Sequence, residues 1–96
     1  MEQYLYTIYD GKKNAFIKSA KPNCKFAVAY TFYLGANIYS LCETEAEANE
    51  LFANEFKDFT EDLLNDPQAG KMRSTLRILK AERCEGNKDN ILEFKK

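Results

Sequence analysis

The spacing of apolar side chains changes period in the middle of this chain, and that change limits it to folds combining a sheet with helices. From Lys25 onward, Phe26, Val28, Tyr30, Phe32 and Leu34 recur every second residue, which puts them on one face of a strand. Ala27, Ala29, Thr31 and Tyr33 take the other face. Ala48, Phe52, Phe56, Phe59 and Leu63 then follow at spacings of four, four, three and four, a narrow apolar stripe on a helix with Leu51 and Leu64 at its edges. Thr44 followed by Glu47 fits a capping box, so the helix is predicted over about 45–64.

The remaining elements follow from turn chemistry. Tyr4 to Tyr9 is rich in aromatic and β-branched residues, and Asp10-Gly11 is a strong turn signal. Ala15 to Ala20 therefore reads as the second strand of a hairpin, ended by Lys21-Pro22-Asn23 because proline cannot donate to a ladder. Gly35-Ala36-Asn37 turns the chain into a short fourth strand, Ile38 to Cys42. Asp66-Pro67 resembles a helix start, with Asp as cap and Pro at the first helical position. Met72, Leu76 and Leu79 share a helical face and Gly86 suits a C-terminal cap, so a second helix is predicted over about 67–85. A strand from Ser74 to Ala81 competes with it, favoured by Thr75 and Ile78, and Gly70 weakens the helix start. Ile91 to Phe94 reads as a closing strand. The expected fold is a single α+β domain over 1–96: an antiparallel sheet of four to five strands with the helices packed on one face. Ninety-six residues suit one core rather than two.

Several chemistries lack their residues. There is no histidine, which removes Ser-His and Cys-His nucleophile pairs, the commonest general base and every His-containing metal site. Cys24, Cys42 and Cys84 form no CxxC, so zinc and iron–sulfur clusters have no ligand set, and buried, reduced thiols are the expected state. The glycines at 11, 35, 70 and 86 make neither GxGxxG nor a phosphate loop. Carboxylates are plentiful, but a domain this small has little interior left to enclose a substrate and raise a carboxyl pKa. The expectation is a non-enzymatic protein with no metal and no cofactor. The opening MEQYLYTIYDG lacks a signal peptide's basic and apolar regions, and the apolar run 26–41 is too short and interrupted to span a bilayer. A cytoplasmic protein with no membrane partner is expected.

Charge is distributed unevenly. Between Glu43 and Asp66 stand nine acidic residues and a single Lys57, a segment near −8, while the rest of the chain is near +7. With Phe52 at the centre of the buried stripe, Glu47, Glu50, Asp58 and Glu61 fall on the opposite helix face, and Glu55 and Asp62 flank the stripe. Rows of carboxylates can stand in for backbone phosphates and occupy a basic groove. The expected function is thus that of a protein-binding inhibitor, whose acidic helix occupies a basic and nucleic-acid-binding surface of a protein partner. The plainer reading of the same residues is a solvated face. In size and charge alone, the chain is similar to small inhibitors such as phage-encoded anti-defence proteins that block nucleic-acid enzymes.

The alternative is a small RNA- or DNA-binding module. It would use the basic segments Lys71, Arg73, Arg77, Lys80, Arg83 and Lys12, Lys13, Lys18, Lys21, Lys25, with Tyr30, Phe32 and Tyr33 as a stacking platform. The plainer reading here is internal charge balance, with strand aromatics serving the core.

Overall fold

The computed structural model describes residues 3–32 and 34–84. Its elements run β1 (Tyr4–Asp10), β2 (Lys13–Ser19), β3 (Phe26–Thr31), β4 (Asn37–Cys42), α1 (Glu45–Asp62), α2 (Gln68–Ser74) and β5 (Arg77–Arg83). The sheet is five-stranded and antiparallel, in the order β2-β1-β5-β3-β4, so the fold is α+β as the changing period requires. The β1–β2 hairpin turns at Asp10-Gly11, where Gly11 adopts a φ of 64° that a side chain disfavours.

The second half of the expected 67–85 helix is instead the central strand. Residues 68–74 are helical; then Thr75 stops the helix, its hydroxyl donating to the Met72 carbonyl at 2.8 Å and accepting from the Thr31 amide at 2.8 Å. β5 pairs with β1 on one side (Ile8 opposite Ala81) and with β3 on the other (Ala27 opposite Leu79). The two hairpins meet through it. The expected closing strand at 91–94 and the Gly86 cap lie outside the described residues.

The strands give the sheet two unlike faces. On the inner face, Tyr6, Ile8, Ala27, Ala29 and Ala81 are buried. Ile17 of one edge strand and Tyr39 and Leu41 of the other pack against the same Ile8–Ala27–Ala81 cluster, so the sheet curls until its edges converge. Alanine makes that curl possible, because bulkier side chains at the centre would hold the edges apart. The Tyr6 hydroxyl donates to the Lys21 carbonyl and accepts from the Cys24 amide at 3.1 Å, tying the β2–β3 loop across this end.

On the outer face, α1 packs against β3, β4 and β5. Ala48, Val28 and Cys42 form one cluster with Phe52 and Ile78 against it; Phe59, Ala69 and Met72 form another with Tyr30 and Leu63. Gly70 lets α2 approach α1 closely, since a Cβ there would sit 3.0 Å from Leu63 Cδ2. The third strand ends at Thr31, earlier than its pattern suggests, leaving Phe32 and Leu34 exposed at the hairpin tip.

Candidate functional site

Helix α1 starts as its sequence requires. The Thr44 hydroxyl accepts from the Glu47 amide at 3.1 Å, and Glu47 Oε1 accepts from the Glu43 amide at 2.7 Å. Glu47 Oε2 also lies 3.8 Å from Lys21 Nζ. Glu47 is thus engaged in holding the helix entry, unlike the acids after it.

The helix is rotated about its axis relative to the expected stripe. Ala48 and Phe59 are buried, Phe52 and Leu63 half-buried, and Phe56 is 44% exposed. Phe56 stacks on Phe52 (centroids 6.4 Å apart, planes at 17°) beneath the Arg73 guanidinium, 5.1 Å from the ring centre. The reason is the position of α2, which leaves the Phe56 side of α1 to Arg73 rather than to the sheet. Arg73 Nη1 donates to the Thr60 hydroxyl at 2.9 Å across the same gap.

The rotation brings Glu55 inward. It is half-buried, and burial, followed by the nearby Asp58, raises its carboxyl pKa. Glu50, Asp58, Glu61 and Asp62 are exposed, and none of them has an ion-pair partner among the described residues. Glu61 and Asp62 stand in the last turn, which carries no basic residue. A negative charge there faces the helix's own unsatisfied carbonyls and costs stability, where a Lys or Arg would add some. The sequence-predicted acids therefore form one exposed face, except that Glu47 is tied to the cap and Glu55 is partly withdrawn.

The predicted basic set does not come together. Lys71 and Arg73 sit on α2, Lys80 points to the outer face of β5, and Arg77 and Arg83 to the inner. Arg77 is structural: its Nε and Nη2 donate to Asp10 Oδ1 and Oδ2 at 3.1 and 2.8 Å, and its Nη1 to the Thr75 carbonyl at 2.7 Å. Arg83 donates to the Pro22 carbonyl at 2.8 Å and lies over the Tyr4 ring. Five residues close together in the chain are divided among three surfaces because the segment changes from helix to strand. Of the aromatics proposed for stacking, only Phe32 is exposed among the described residues. Tyr30 meets Phe59 edge-on at 5.0 Å under α1, Phe32 is at the hairpin tip, and Tyr33 lies outside the described residues.

Exposed aromatics stand instead on the outer face beyond the helices. Tyr9 is 43% and Phe16 55% exposed. In the sequence they count only as strand formers of the first hairpin, with no face assigned to either. The signal was available: alternation with Tyr6 and Ile8 already puts Tyr9 on the opposite face.

Among the described residues, no group of three or more potential ligands could hold a metal ion. No helix there is long and apolar enough to cross a membrane. Cys24 and Cys42 are buried, free thiols whose pKa burial raises. Cys84 is half-buried, its Sγ 3.0 Å from the Thr7 hydroxyl. Comparison with known proteins finds no family model, no curated protein and no solved structure that matches this chain.

Proposed function

We propose that this is a non-enzymatic binding protein, an inhibitor in kind, that occupies a basic surface of a protein partner with the outward acids of α1. The partner is one whose own ligand is nucleic acid, so that the carboxylate row takes the place of phosphates. The encounter takes place in the cytoplasm and involves no membrane.

One observation carries it: Glu50, Asp58, Glu61 and Asp62 are exposed without cations and continue into the last turn, against the helix dipole. A face kept only for solvation would gain from mixed signs and from a Lys at that end. Stability forgone on one face is the mark of a surface held for another purpose.

The test is a charge-reversed variant, Glu50→Lys, Asp58→Lys and Glu61→Lys, with Glu47 left in place to keep the cap. Wild-type protein immobilised in an extract of its own cell should retain a basic partner that the variant does not. Retention should weaken steeply with salt, because exposed charges are screened within about 8–10 Å at physiological ionic strength. Equal retention by both proteins would reduce the acidic face to a solvated one.

A further inference from the structure

The side of the sheet beyond α1 carries the reverse chemistry, arranged by register. Asn14, Tyr9, Lys80 and Phe26 stand in one row across β2, β1, β5 and β3, each the cross-strand partner of the next. In the adjoining row Phe16 faces Thr7, and Thr7 faces Glu82. Diagonal neighbours on adjacent strands lie about 7–8 Å apart, within reach of aromatic rings, so exposed Tyr9 and Phe16 present two ring surfaces side by side. The Tyr9 hydroxyl donates to Glu82 Oε1 at 2.6 Å, which steadies the ring and engages the acid in this row.

Beside Tyr9 opens a cleft of about 620 Å³, bounded by Tyr9, Phe26, the loop 22–25 and residues 80–83 of β5, Glu82 among them. That volume is ample for one nucleotide within the ordinary range of ligand sites, about 300–1,000 Å³. Lys25 and Lys80 line it, both exposed and outside the ion pairs of the described residues, and Lys18 stands on the same face of β2.

We propose that this face binds single-stranded nucleic acid. Bases stack on Tyr9 and Phe16, a further base enters the cleft against Phe26, and phosphates lie on Lys18, Lys25 and Lys80. Single strands are specified because ring faces on a sheet need unpaired bases to stack against. Lysines alone would suit any polyanion; two exposed rings set among them suit a polyanion with flat apolar bases. No residue of the acidic helix takes part: α1 packs against β3, β4 and β5, whereas the two rings stand on β1 and β2.

The experiment is fluorescence anisotropy of a labelled oligothymidylate of about twelve nucleotides titrated with the full chain at about 50 mM salt. Wild-type protein should bind. Tyr9→Ala and Phe16→Ala should each weaken binding about tenfold, the loss expected for one base–aromatic stack. Lys18→Glu with Lys80→Glu should abolish it. All four positions are exposed or half-exposed, so circular dichroism should show each variant folded; Phe16→Leu, which keeps an apolar side chain but not the ring, should bind as poorly as Phe16→Ala. Glu50→Lys with Glu61→Lys should bind at least as well as wild type. No binding by wild type, or ring variants that bind like wild type, overturns the proposal. So does equal affinity for a duplex or for a polyglutamate peptide, either of which would show that charge alone is recognised. A wild-type dimer that Phe16→Ala dissolves would assign the face to a second copy and overturn it as well.

Discussion

Replacing Asp10 by Asn should destabilise the protein more than any other single change of charge. Asp10 ends β1, and its carboxylate receives two guanidinium hydrogen bonds from Arg77 on β5 and one from the Tyr39 hydroxyl on β4, the last at 2.7 Å. Three strands are joined on the inner face by one side chain. The Arg77 and Asp10 side chains are 28% and 15% exposed, between a surface pair and a buried one. Breaking a fully buried pair costs about 3–5 kcal/mol, and an exposed pair contributes about 0–1 kcal/mol. Arg77 keeps the Thr75 carbonyl and some water, so the loss should be about 2–3 kcal/mol. In a domain of this length that lowers Tm by about 10–20 °C.

The pH dependence follows in sign from the same geometry. The Arg77 hydrogen bonds hold the Asp10 carboxyl below its ordinary range, against an opposing push from burial, and Tyr39 assists. A depressed folded-state pKa gives stability that is present above the unfolded value, about 3.9, and is lost as pH falls through the folded value. Urea denaturation of wild type and Asp10→Asn should therefore show the full difference at neutral pH and a narrowing one below about pH 4. A difference under about 1 kcal/mol at neutral pH, or one unchanged by acid, refutes the role assigned to this carboxylate. In a double-mutant cycle with Arg77→Met, the two losses should be strongly non-additive.

Other outcomes are equally specific. Phe59→Ala, at a site 7% exposed and edge-on to Tyr30, should cost about 3–5 kcal/mol in urea denaturation, while Phe56→Ala should cost about 1 kcal/mol; the reverse order would contradict the observed rotation of α1. Asp62→Lys should stabilise the protein by about 0.3–1 kcal/mol through the helix dipole, yet weaken partner retention if the acidic face acts as proposed. In native protein, a thiol reagent followed by mass spectrometry should modify half-buried Cys84 first and Cys24 and Cys42 only after denaturation; equal rates would contradict their burial.

Much of the fold was legible where its causes are local. The Thr44–Glu47 cap, the α1 boundaries, the Asp10-Gly11 turn and four of the five strands depend on residues a few positions apart, so propensity and periodicity report them. The acids of α1 were legible as an exposed face for the same reason, since a helix disposes its side chains at a fixed angle whatever surrounds it.

The segment 71–85 shows where local information ends. Met72, Leu76 and Leu79 fit a helical face, but residues 77–83 gain both ladders of a central strand between β1 and β3. Those hydrogen bonds and the buried inner face outweigh helix propensities that differ by less than about 1 kcal/mol per residue. Once the strand forms, Arg77 is separated from the other basic residues of its segment; it turns inward to Asp10, sixty-seven positions away in the chain.

By itself, then, the sequence determined the class of fold, the acidic helix and its cap, and the lack of histidine chemistry. Tertiary structure decided which side of α1 is buried: Phe56, where the stripe predicted sheet, stays 44% exposed beneath the Arg73 guanidinium. It likewise decided which strand is central and which aromatics remain exposed, placing Tyr9 and Phe16 rather than Tyr30 on an open face. Each of these depends on which surfaces meet, and that is set by the packing of residues distant in sequence, which no short-range pattern encodes.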